Sequence, residues 1–175
     1  SVSTYVLSKL SAFASDARTR RIVDRPTSDV SISDVVDDGK VLVVRLPVGV
    51  LGVAPVRAVG QLILARLTSI LGQRFESRTA ARPVAVYVDE WSLVAQPLLQ
   101  RLLAEGRKYG FELTLANQSV HQVAHPMKIA GNVGTLALFR VGPAEAALFA
   151  PEFDTLTTAG LRLLRPYQVA VRPPY

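Results

Sequence analysis

The stretch that most constrains this chain is Arg82-Pro83-Val84-Ala85-Val86-Tyr87-Val88-Asp89-Glu90-Trp91, in which β-branched and aromatic residues stop abruptly on two adjacent carboxylates. A short, continuous apolar run of this kind reads as a strand buried on both faces, the mark of a parallel sheet covered by helices. Pro83 falls at its first position, where a missing N–H does least harm. Asp89 and Glu90 then stand at the carboxyl end of the strand, where open α/β sheets bind ligands. Successive strand residues point to opposite faces, so the two acids can have different tasks. One can hold Mg²⁺ through its hydration shell while the other polarises an attacking water. A strand that simply ends in a polar loop would also place Asp and Glu here, so the pair acquires meaning only from its context.

The 175 residues are enough for one domain with a real core, and no internal boundary, repeat or low-complexity segment is evident, so the sequence reads as a single α/β domain over 1–175. The chain is 49% hydrophobic and 19% charged, which is apolar for a globular domain. No segment reaches the apolar length expected of a bilayer span. The surplus apolar surface therefore points to a two-sided sheet or a buried contact with another domain or subunit. Without cysteine there is no disulfide and no thiolate metal site, which fits a reducing compartment. Twenty Lys+Arg against 14 Asp+Glu give a net charge of +6, a balance that favours a polyanionic partner. The first residue is Ser1, with no signal-peptide pattern, as in a fragment of a longer protein.

Along the chain, residues 4–15 carry the periodicity of an amphipathic helix with Ser3 as its cap. Arg18, Arg20 and Arg21 follow, either as a solvated helix end or as phosphate contacts. Ser33 is placed to cap a short turn that Gly39 ends, and 40–46 reads as a buried strand. After a glycine-bearing loop over 47–53, Pro55 opens a long helix whose stripe is Val59, Leu62, Ile63, Leu67, Ile70 and Leu71. Beyond Trp91, Pro97 opens a helix with Leu98, Leu99, Leu102 and Leu103 inward, and Gly110 follows its end. Residues 112–117 form a third strand ending in Asn117-Gln118-Ser119, whose amides can orient water or bind phosphate, or simply form a turn. A fourth strand spans 136–140, a short helix starts at Pro143, 151–158 is a linker, and a final strand covers 167–171. Residues 172–175 read as a frayed tail.

Two motifs fail on inspection. Gly39-Lys40 has the form of a P-loop end, but Val41 follows it and Asp34 stands where the first glycine belongs, and none of Lys9, Lys108 and Lys128 lies in such a loop. The chain contains no Walker A motif. His121 and His125 stand four apart, the spacing of a helical metal pair, yet Pro126 follows and no third ligand is nearby, so two polar residues on a short exposed helix is the better reading.

The acid pair has the form of a Walker B element, and further pieces fall in order around it: Asp38 to Leu46, Leu51-Gly52, Val88-Asp89-Glu90, Gly106 to Gly110, Leu115-Ala116-Asn117-Gln118 and Leu138-Phe139-Arg140. Taken together, from about Leu7 onward, they resemble the second half of the ATPase domain of TraG/TraD-like conjugative coupling proteins, in the HerA–FtsK superfamily. The resemblance implies an α/β fold with a RecA-like P-loop NTPase core, a mainly parallel sheet between helices, here without its Walker A strand and loop. It implies ATP and Mg²⁺ as cofactors and a homo-oligomeric ring, usually a hexamer, that moves DNA. It also implies type IV secretion channel components as partners and a cytoplasmic place, at the inner face of the cell membrane through an upstream segment.

Carried over residue by residue, Asp89 matches the metal acid, Glu90 the catalytic acid and Gln118 the glutamine that senses the γ-phosphate. Arg107 matches the arginine finger offered to a neighbouring subunit, with Arg140 a second candidate. A finger of this kind suits Arg, because its planar fork is permanently charged. The family's P-loop lies upstream of an inserted helical domain, so the upstream part of the same protein is the expected source of the phosphate cradle. On that expectation the chain alone hydrolyses ATP poorly, and its sheet has an unpaired edge prone to self-association or strand exchange. Two other readings remain open: a non-catalytic assembly module with the same fold, and a basic nucleic-acid binder without hydrolysis.

Overall fold

The computed structural model describes residues 26–76, 82–94, 96–123 and 125–174, together with residues 17, 20, 21 and 24. The expected helix over 4–15, its Ser3 cap and Arg18 lie outside the described residues. Arg20 and Arg21 are exposed. The chain divides into two compact units, Ser1–Asn117 and Gln118–Tyr175.

The first unit starts with helix α1 (Ile32–Asp37). Its cap is Ser31 rather than Ser33: the Ser31 hydroxyl accepts from Asp34 N at 3.3 Å, while Ser33 already lies within the first turn. Residues 40–46, expected as a buried strand, form none. Val41 and Val43 are 89% and 85% exposed, and among the described residues no neighbour takes the backbone groups of 41–46. An extended apolar run becomes a strand only when those groups are paired. The expected loop that follows contains a short helix, α2 (Val48–Leu51).

Helix α3 (Val53–Glu76) supplies most of the first unit's core. It buries Val56, Val59, Gly60, Leu64, Leu67, Ile70 and Leu71, a stripe that recurs every three or four residues. Leu62, expected within that stripe, is exposed instead. At about 100° per residue it lies on the opposite side of the helix from Gly60 and Leu64. Contrary to expectation, α3 is long and apolar enough to cross a membrane by length and composition. Core helices pass the same test, and the residues just named pack into this unit's core. Arg74 near its end pairs with Asp37 of α1.

Strands β1 (Val84–Val88) and β2 (Phe111–Leu115) form a two-stranded parallel sheet, with Val84 opposite Phe111 and Val88 opposite Leu115. The crossover between them carries α4 (Gln96–Glu105), which buries Leu99 and Leu102. Gly110, at φ +78°, turns the chain into β2 in a conformation that costs glycine little. β1 is not buried on both faces: Val84, Val86 and Val88 are half-buried, whereas Ala85 is exposed and Tyr87 is 77% exposed.

The second unit holds α5 (Pro126–Ala130), β3 (Leu136–Leu138), α6 (Pro143–Phe149), α7 (Thr158–Arg162) and β4 (Ala170–Arg172). β3 and β4 are antiparallel and make a separate sheet, so the expected fourth strand does not extend the parallel one. Ala130, Leu138, Ala146, Phe149, Phe153, Leu161 and Ala170 form the core. The presumed linker over 151–158 thus contributes Phe153 to that core.

Arg172 is likewise no part of a frayed tail. It is buried in β4, pairs with Glu152, and its Nη2 donates to the carbonyls of Ala130 and Val133 at 2.8 Å each. Together the two units are mixed α/β, with one small parallel sheet. Because truncating one member of a buried pair strands the other, Arg172→Ala should lower stability by about 3 kcal/mol in urea denaturation. A loss below about 0.5 kcal/mol, the range of ordinary surface changes, would contradict the role assigned to this arginine.

Candidate active site

β1 delivers Asp89 and Glu90 to the carboxyl end of the parallel sheet, as the sequence pattern requires. The turn that carries them is unusual. Glu90 has φ 47° and ψ 42°, a left-handed conformation that costs a non-glycine residue about 1–2 kcal/mol. The Asp89 carboxylate accepts from Glu90 N at 2.9 Å, which fixes one of its oxygens toward the turn. One Glu90 carboxylate oxygen, Oε1, is shielded from solvent and has no hydrogen-bond partner among the described residues. A buried carboxylate oxygen without a partner is costly.

What holds the strained turn is the exit of the neighbouring strand. Trp91 N donates to Ala116 O, and Ser92 N donates to the Asn117 side-chain oxygen, both at 3.3 Å. Trp91 and Ser92 are both 5% exposed, so these bonds are protected from competing water. Below the turn, Gly60 of α3 approaches Val94 so closely that a Cβ there would lie 2.5 Å from a Val94 methyl. The glycine inside an apolar helix therefore sets the distance between α3 and the segment that follows the acids. Sequence reasoning gave Asn117 a general place at the sheet edge and did not single out Gly60 or Ser92. A glycine interrupting the helical stripe was the one available signal.

The other candidates are not brought to the acids within the first unit. Arg107 is exposed in a 3₁₀ turn (Gly106–Tyr109) that precedes β2. The strands are parallel, so Arg107 and the acids lie at opposite ends of the sheet, separated by the length of a five-residue strand, about 16 Å. Beside it, Lys108 is 3.3 Å from the Glu105 carboxylate and 4.9 Å from the Tyr109 ring centroid. Tyr109 first, and then Glu105, raise the Lys108 pKa, so it stays a cation. Gln118 and Arg140 belong to the second unit, and both are exposed.

The two histidines do not share a helix. His121 lies in the 3₁₀ turn Val120–Gln122, and His125 has φ 57° just before α5. Among the described residues no group of three His, Asp or Glu side chains is placed to hold a metal ion. Mg²⁺ bound to a nucleotide needs fewer protein ligands, one or two carboxylates with phosphate and water completing its shell. Asp89, exposed at the strand end, offers one such carboxylate.

Neither a family model nor a curated protein matches this chain. The strain at position 90 is testable without a ligand. Glu90→Gly relieves the left-handed backbone and removes the unpartnered oxygen, so it should raise stability by about 1 kcal/mol in urea denaturation. Destabilisation by the same amount would mean that Glu90 is structural.

Proposed function

We propose that this chain is the downstream part of a RecA-like ATPase motor of the TraG/TraD-like coupling kind, and that its acid pair serves a nucleotide bound at the carboxyl end of β1. The observation that carries this reading is the Asp89-Glu90 turn: two carboxylates at the end of a parallel strand, one exposed and one with a shielded, unpartnered oxygen, on a strained backbone. In this reading Asp89 holds the hydrated metal through its free oxygen. Glu90 accepts a hydrogen bond from the attacking water and orients it. Mg²⁺, when bound with the nucleotide, neutralises charge on the phosphoryl group being transferred.

The phosphate cradle comes from polypeptide outside this sequence, since no Gly-x-x-x-x-Gly-Lys-Ser/Thr loop occurs in it. Arg107, at the far end of its own sheet, fits a finger directed at another copy better than one directed at its own acids. Gln118 and Arg140 keep the sensor and alternative finger roles that the resemblance implies. The partners proposed are DNA, other copies in a ring and type IV secretion components at the inner membrane face. The net charge of +6 also favours the simpler reading of a basic nucleic-acid-binding module without hydrolysis.

Trp91 makes the two separable. It is the chain's single tryptophan and directly follows the acids, so its emission reports on the turn. Titration with Mg·ATP should change Trp91 fluorescence saturably, and Asp89→Asn should abolish the change. The chain alone should show little turnover. An emission that ignores nucleotide, together with DNA affinity that falls steeply with salt, would favour the module. Turnover by the chain alone, lost in Glu90→Gln, would refute the external cradle.

A further inference from the structure

Among the described residues, the first unit contains a sheet edge that nothing fills and, separately, an apolar segment whose backbone pairs with nothing. The hydrogen bonds Val84 N to Gly110 O and Ala116 N to Val88 O fix which β1 residues face β2. In a parallel ladder the alternate residues face the other way, so Ala85 and Tyr87 present their N–H and C=O groups to an open edge. A two-stranded sheet is marginal by itself, and open edges invite pairing.

The segment 40–46 has the composition such an edge accepts. Val41, Leu42, Val43 and Val44 are 89%, 38%, 85% and 44% exposed, so one face of the run is open and the other is only partly covered. The run makes no backbone hydrogen bonds from 41 to 46 among the described residues. It is joined to β1 through α3, which is the arrangement of a parallel crossover, so the edge it suits is that of β1.

We propose that the segment 40–46 of one copy adds as a third, parallel strand to the open edge of β1 in a second copy of this chain. Charge selects both the direction and the partner. Parallel pairing brings Arg45 to the carboxyl end of β1, beside Asp89, while Lys40 at the other end is already neutralised by Asp38 at 2.6 Å. Antiparallel pairing would set Arg45 against Arg82 instead. Arg45 is exposed and makes no ion pair among the described residues. Every copy carries both the donor segment and the acceptor edge, so donation in both directions closes the assembly without exposed ends.

Sedimentation equilibrium on the intact chain tests it. The wild type should self-associate reversibly. Arg45→Glu, on an exposed side chain, should weaken association about tenfold, and Arg45→Glu/Asp89→Arg should recover part of the loss. Ala85→Pro blocks the acceptor edge without touching the β1–β2 bonds and should abolish association while circular dichroism stays unchanged. Of Leu42→Pro and Val43→Pro, at least one removes an N–H that faces β1 and should do the same. A wild type that stays monomeric, or hydrogen exchange protecting 41–45 in the monomer, would overturn the proposal. So would an Ala85→Pro variant that folds and associates normally.

Discussion

The candidate site depends on a backbone turn that could not persist alone. Glu90 sits in a left-handed conformation, and its neighbours Trp91 and Ser92 are tied to the residues that leave β2. Parallel pairing therefore does more than build a sheet. It places two strand exits side by side, so that one exit can brace the other. Strain at Glu90 is tolerated because Ala116 and Asn117 over-determine the path of the chain beyond it. The Gly60–Val94 approach adds a second support from α3. Remove the pairing of β1 with β2 and the acids lose their geometry.

Charge is managed differently in the two units. In the second, Arg172 is buried, with Glu152 and two carbonyl oxygens around its terminal nitrogens. At the acid turn of the first, a carboxylate oxygen is shielded and left without a partner. The proposed function rests on Glu90 rather than on the many exposed arginines, which solvent screens, because the Glu90 turn lies at the carboxyl end of the parallel strand.

Some of this was legible in the residues. The strand ending at Asp89, the helix before it and the glycine at 110 each follow from local pattern, and each is present. The strand over 40–46 was misread because apolar, β-branched composition specifies a strand only where a partner edge exists, and composition does not report the partner. Burial of β1 on both faces failed for the same reason: Tyr87 is apolar enough for a core, but among the described residues nothing covers it. Phe153 and Arg172 lay in stretches read as linker and tail. Their burial comes from contacts distant in sequence, which no window of residues contains. The bracing of Glu90 by Asn117 is of that kind too. An Asn after a strand looks like a turn former, and its bond to Ser92 N spans 25 positions.

The central claim is that Asp89 and Glu90 form a metal–nucleotide site at the end of β1. Paramagnetic broadening by Mn²⁺·ATP, followed through backbone amides, tests it most directly. The account predicts selective loss of the Asp89, Glu90, Trp91 and Ser92 signals, with the Gly106–Tyr109 turn at the other end of the parallel sheet less affected. Broadening centred instead on other exposed carboxylates such as Asp37 or Asp154, with the Glu90 turn unaffected, would contradict it.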